Sequence, residues 1–190
     1  MKNIVVAITG ATGIQIAFQV VKTLSEMDVK VHLVVSKWGR ATLEYETQYT
    51  LNDFTRYAFK VYNFKDQFAG IASGSFSTDG MVVVPCSMKT LASIRLGLSD
   101  NLIVRAADVT LKEKRKLILV PREMPLNSIH LEHMLALSKM DVCLCPPVLT
   151  FYDKPQSIDD MVLQCAYRII EQLGIEHPNI FRWQSVEDKK

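Results

Sequence analysis

The sequence predicts an α/β fold: a Rossmann-like (flavodoxin-like) doubly wound parallel sheet in a single domain. Three observations carry this. Short apolar runs alternate with helical stretches along nearly the whole chain. Runs such as Ile4-Val5-Val6-Ala7-Ile8 and Leu117-Ile118-Leu119-Val120 are apolar at every position, as strands covered on both faces are. Several runs leave into glycine, serine or proline, residues that turn a strand into the next element.

Taken in order, Asn3 to Ile8 is the first strand. It enters the turn Thr9-Gly10-Ala11-Thr12-Gly13, and a helical pattern follows through Gln19 to Leu24. Lys30 to Val35 is the second strand, with Ser36 at its exit and a helix over Lys37 to Glu46. Leu51 to Phe54 starts a short helix, with Asn52 and Asp53 near its start. Tyr57 to Tyr62 is a third strand and Met81 to Pro85 the next. Cys86-Ser87-Met88-Lys89-Thr90 then opens a helix toward Leu96, and Leu102 to Lys112 is another. The strand at Leu117 to Val120 ends in Pro121-Arg122-Glu123-Met124-Pro125, where neither proline can continue a ladder. Ser128 to Lys139 is helical, Val142 to Cys145 is a strand closed by Pro146-Pro147, and Ser157 to Leu173 is the last helix. One domain over 1–186 follows, with 187–190 a disordered tail.

Composition excludes several functions. At 190 residues, with 48% hydrophobic and 22% charged, the chain is an ordinary globular domain with a proper core. A net charge of +2 gives no basis for nucleic acid or an anionic membrane. The apolar runs are far too short to span a bilayer, and the N-terminus lacks a signal-peptide pattern, so a cytoplasmic location is expected. Cys86, Cys143, Cys145 and Cys165 match neither a zinc pair nor a redox pair and read as small buried residues. His130 and His133, three apart on one helix with no third ligand, read as capping or solvated, so no metal is expected.

Chemistry gathers at the strand exits. In Gly10-Ala11-Thr12-Gly13 the glycines let the backbone approach an anion, and the helix start offers free N–H groups. The third glycine of a dinucleotide fingerprint is absent, and Ser36 ends the second strand where an acid would hold an adenosine ribose. A mononucleotide therefore fits better. Ser73-Gly74-Ser75-Phe76-Ser77-Thr78, Ser87 and Thr90 add neutral donors suited to a flavin. Arg122 beside Glu123 suits a phosphate, one gripping the anion and the other exchanging a proton with it. Lys112 closes the helix leading into that strand.

With these segments together, the chain resembles the UbiX-type flavin prenyltransferases, close to the small proteins that accompany bacterial non-oxidative hydroxyarylic acid decarboxylases. The resemblance runs from Ile4 to Trp183 and includes Arg105-Ala106-Ala107-Asp108-Val109, Leu111-Lys112-Glu113, Phe151-Tyr152 and Arg182-Trp183. It implies transfer of a dimethylallyl group from dimethylallyl phosphate to N5 and C6 of reduced FMN, without metal. The prenylated FMN would serve a separate aromatic acid decarboxylase. It also implies FMN contacts from Gly10, Ala11, Thr12, Ser36, Ser87, Met88, Lys89, Thr90 and Arg122. Tyr152 and Arg168 would hold dimethylallyl phosphate. Glu46, Lys112 and Glu123 match positions near the reacting phosphate, and Trp183 an aromatic near the prenyl group. A homododecamer with sites between subunits is implied as well. The chain departs from the family at Thr12, where many members have serine, at Ile14-Gln15-Ile16, and at Val148-Leu149-Thr150.

Two other readings stand beside this one. A flavin-dependent cysteine decarboxylase would need a histidine by the flavin, and none of His32, His130, His133 and His177 falls at a strand exit. A non-catalytic subunit that delivers flavin would not need Lys112, Glu123, Tyr152 and Arg168 together.

Overall fold

The computed structural model describes residues 1–180. The expected tail at 187–190, Arg182 and Trp183 lie outside the described residues. Six parallel strands form one sheet: β1 (Asn3–Ile8), β2 (Lys30–Val35), β3 (Lys60–Tyr62), β4 (Gly80–Cys86), β5 (Lys116–Pro121) and β6 (Cys143–Leu144). The order β3-β2-β1-β4-β5-β6 means that the chain winds outward from β1, then returns to its other side through β4. A doubly wound sheet opens a crevice at that reversal, above the carboxyl ends of β1 and β4.

The helices are α1 (Ile14–Glu26), α2 (Lys37–Glu46), α3 (Leu51–Thr55), α4 (Met88–Leu96), α5 (Leu102–Lys112), α6 (Ser128–Ser138) and α7 (Ile158–Gln172). They cover both faces, and the alternation of each strand divides the core in two. Ile4, Val6, Ile8, Leu33, Val82 and Ile118 meet α1 and α7, with Leu43 of α2 and Phe54 of α3. Val5, Ala7, Val34, Met81, Val83 and Leu119 meet Leu91 of α4, Leu102 of α5 and Leu137 of α6. Burying each of the larger aliphatic side chains stabilises the fold by about 1.5–3 kcal/mol.

Four expectations shift. Of the strand at Tyr57 to Tyr62 only Lys60–Tyr62 pairs, because the amides of Tyr57 and Ala58 close α3 on Phe54 and Thr55. The strand at Val142 to Cys145 contracts to Cys143–Leu144, since Val142 N–H closes α6 on Leu137 O at 3.2 Å. Pro85 lies inside β4 rather than at its end, and its carbonyl serves the ladder by accepting from Thr9 N–H at 3.2 Å. Pro121 also keeps its place in the ladder, opposite Cys86. It gives no N–H, and Arg122 N–H supplies the next bond, to Cys86 O at 3.3 Å.

Candidate active site

The crevice is framed by the exits of β1, β2, β4 and β5. Thr9 ties two of them: its hydroxyl donates to Pro85 O (2.8 Å) and accepts from Ser87 N–H (2.8 Å). Ser36 caps α2 by accepting from Gly39 N–H at 2.9 Å. Ser87 caps α4, accepting from Thr90 N–H (3.3 Å) and donating to the Thr90 hydroxyl (3.1 Å). In the first turn of α4, Met88 and Lys89 have no carbonyl a turn earlier in the helix for their N–H groups to bind. Arg122 and Glu123 are exposed just past β5. Among the described residues neither side chain is in an ion pair. The Glu123 carboxylate accepts only from the neighbouring Met124 N–H, at 3.2 Å. Hydroxyls, helix N–H groups and an uncommitted guanidinium around one crevice fit a phosphorylated flavin.

The first loop works differently from its sequence reading. A Cβ on Gly10 would lie 2.4 Å from Trp38 Cβ, so Gly10 admits α2 rather than a ligand. Gly13 carries φ of 111°, a left-handed conformation that favours glycine. The N–H groups at the start of α1 are not free for an anion. Glu46, at the end of α2, brings its carboxylate to Gly13 N–H (3.1 Å) and Ile14 N–H (3.5 Å). A carboxylate there satisfies the helix end and its dipole. Ala11 and Thr12 stay half-buried beside it.

The expected site residues fall into three places. Gly10, Ala11, Thr12, Ser36, Glu46, Ser87, Met88, Lys89, Thr90, Arg122 and Glu123 all lie along the carboxyl edge. Tyr152 and Arg168 border a separate cavity of about 110 Å³ between the exit of β6 and α7. Its walls include Cys145, Pro146, Asp153, Gln164, Cys165 and Ile180. Arg168 there forms an ion pair with Glu171.

Lys112 is at the opposite edge. It sits in the last turn of α5, which leads into the start of β5, so the length of the strand separates it from Arg122. The Ser73–Thr78 loop is there too, ahead of β4, which corrects its reading as a strand exit suited to flavin. Lys112 Nζ donates to Glu113 Oε1 at 2.5 Å, over Gly74, whose missing Cβ leaves room for the pair. That bond holds the Glu113 carboxyl below its ordinary range. Arg115, unmarked by any sequence signal, clamps the loop by donating to Gly74 O (2.8 Å), Phe76 O (2.9 Å) and Thr78 Oγ1 (3.2 Å).

Cysteines and histidines take structural roles. Only Cys86 is fully buried, whereas the other three are half-buried near the β6 cavity, which corrects the expectation of four buried thiols. Burial, with Cys143 nearby, pushes Cys145 up to about 11, and burial then Asp153 raises Cys165, so both stay protonated at neutral pH. His130 joins the capping box of α6, and His177 stacks on Tyr167. His32 is buried in β2 against Tyr62, away from the strand exits. Among the described residues no cluster of His, Cys, Asp and Glu could hold a metal, and no helix is long and apolar enough to cross a membrane.

A six-stranded doubly wound sheet with a hydroxyl-lined crevice at its reversal defines a mononucleotide-binding α/β protein. The chain belongs to the Flavoprotein family, whose model matches residues 1–168, and within it to the UbiX-like flavin prenyltransferases. It is 53% identical over 185 residues to a probable UbiX-like flavin prenyltransferase of Escherichia coli, covering 97% of this chain and 94% of that one. A dodecameric FMN-dependent UbiX-like decarboxylase from Escherichia coli O157:H7 superposes with a TM-score of 0.94 at 53% identity, covering 96% of this chain and 100% of that one. AnUbiX in complex with FMN and dimethylallyl pyrophosphate gives 0.95 at 46% identity, covering 97% and 98%.

Proposed function

We propose that this protein is a flavin prenyltransferase that joins the dimethylallyl group of dimethylallyl phosphate to reduced FMN. The observation that carries this is Arg122 beside Glu123 at the exit of β5, exposed and without an ion pair among the described residues. Similarity to AnUbiX, which was seen with FMN and dimethylallyl pyrophosphate, supports it. Gly10, Ala11, Thr12, Ser36, Ser87, Met88, Lys89, Thr90 and Arg122 line the flavin side. Tyr152 and Arg168 receive the allylic phosphate.

In the reaction the allylic C–O bond breaks, phosphate leaves, and carbon–nitrogen bond formation at N5 precedes ring closure at C6. Positive charge and hydrogen bonds fixed in a dry site are worth several kcal/mol to such a departure. Glu123 gives a proton to the departing phosphate, and the phosphate then takes the C6 proton. Trp183, by resemblance, faces the allyl cation. No metal enters these steps.

Lys112 stands a strand's length from Arg122, so within one chain the two do not meet. Assembly resolves this: Lys112 serves the site of a neighbouring subunit in a homododecamer like the relative's. The prenylated FMN goes to a separate aromatic acid decarboxylase in the cytoplasm.

The test uses purified full chain, anaerobic reduced FMN and dimethylallyl phosphate, with the flavin product weighed by mass spectrometry. Gain of one dimethylallyl unit is expected. Tight FMN binding with an unchanged flavin mass would favour a flavin-delivering subunit instead.

A further inference from the structure

We propose that Asp153 is a positioning residue, the inner partner that draws the Arg168 guanidinium off Glu171 and into the β6 cavity to meet the donor's phosphate. The inference rests on the reading of that cavity as the allylic phosphate site.

Asp153 Oδ1 is buried and has no hydrogen-bond partner in the structure. A buried carboxylate oxygen in that state calls for a donor. Asp153 follows Tyr152 in a turn closed by Lys154 N–H on Phe151 O at 3.1 Å, and it forms part of the cavity wall. Cys165 and Arg168 are three residues apart on α7, so they share a face. That face looks onto Asp153, whose charge is felt at the Cys165 thiol.

Arg168 borders the same cavity, yet its ion pair with Glu171 is an i,i+3 contact with the arginine side chain 67% exposed. Such a pair is weak and easily exchanged. A guanidinium has five donors in one plane. One edge can bind Asp153 while the other faces an anion, which fixes the plane that the phosphate meets. Asp153 thus acts through Arg168 and not on the reacting atoms.

The test is steady-state prenylation by the FMN-bound oligomer, with calorimetric binding of inorganic phosphate alongside. Asp153→Ala should raise KM for dimethylallyl phosphate and the Kd of phosphate about tenfold, with kcat and FMN affinity nearly unchanged. Asp153→Asn keeps an acceptor oxygen and should recover part of the loss. If the alanine variant does not fold, the asparagine variant, with its smaller rise in both constants, carries the test. In an Arg168→Ala background, neither change at Asp153 should have a further effect. Unchanged constants, tighter phosphate binding, or an equal effect with and without Arg168 would overturn the proposal. Failure of the unsubstituted protein to prenylate flavin would count against the functional reading alone. Phosphate affinity would still decide the role of Asp153.

Discussion

At the carboxyl edge of the sheet, Arg122 and Glu123 stand side by side without an ion pair among the described residues. At the amino edge, Lys112 and Glu113 are bonded to each other over a loop that Arg115 clamps. Both edges are exposed, so solvent does not account for the contrast. A charge that must meet a ligand is left uncommitted, and a charge presented on a fixed surface is held by its neighbours. The amino edge is therefore a built surface that faces outward from its own chain. A site needing both edges needs two chains.

The largest expected effect lies at the carboxyl edge. Glu123→Gln keeps size and hydrogen bonding but cannot give up a proton as an acid. It should bind FMN and dimethylallyl phosphate and yet lose about 10²-fold or more in prenylation rate. Arg122→Ala should instead weaken FMN binding. Single-turnover loss of the reduced flavin spectrum, with FMN affinity measured in parallel, separates the two. An unchanged rate would leave Glu123 a surface carboxylate.

Lys112 breaks or sharpens the comparison most directly. Lys112→Ala should slow prenylation by tens-fold with little effect on FMN affinity. If Lys112 works across subunits, co-assembly of Lys112→Ala chains with Glu123→Gln chains should restore activity. At equal mixing, roughly one quarter of the sites would combine an intact residue 112 with an intact residue 123. Recovery absent from co-refolded oligomers would put both residues in one chain's site and contradict the separation by the length of β5.

The sheet was legible because its central strands are buried on both faces and so read as unbroken apolar runs. The edge strands were not. Lys60–Tyr62 and Cys143–Leu144 are too short for a pattern, and their ends were decided by helix-closing amides. Ser36 and Ser87 were found as strand-exit residues, a local signal. Glu46 at the start of α1 and Trp38 against Gly10 were invisible, because each depends on packing α2 beside a loop about thirty residues earlier. The place of Lys112 was available from topology: a helix that crosses back after β4 ends where β5 begins. Tyr152 and Arg168 were brought together by family resemblance, and their shared cavity depends on the turn before α7.

A smaller effect belongs to Arg115. Its three hydrogen bonds hold the loop on which Lys112 and Glu113 rest. Arg115→Ala should cost about 1–3 kcal/mol in urea denaturation, because the carbonyls of Gly74 and Phe76 lose a charged donor. Arg115→Lys, a point charge without the fork, should recover only part. Prenylation should fall with the loop, and FMN affinity should not. Lost FMN affinity would mean that the two edges are coupled through the sheet rather than through assembly.

The smallest expected effect is a pH dependence at the amino edge. His32 is buried, with Nδ1 2.9 Å from Tyr62 Oη and Nε2 3.3 Å from Asn3 Oδ1. The rings of Phe59 and Phe76 stand edge-on to it, the latter from the Ser73–Thr78 loop. Burial first, then the charges of Lys60 and Lys30, hold its pKa below the ordinary imidazole value. The folded protein therefore keeps His32 neutral where an unfolded chain, titrating near about 6.5, takes up a proton. Above that range both states are neutral and His32 gives no slope. As pH falls through it, the unfolded state gains a proton that the folded state refuses, and stability drops by at most about 1.4 kcal/mol per pH unit. Urea denaturation from pH 7.5 to 5.5 should show this fall, and it should be shallower in Lys60→Gln, which removes one of the opposing charges. A steeper or unchanged slope in that variant would mean that the lysines do not set the titration of His32. The amino edge would then owe its acid sensitivity to burial alone.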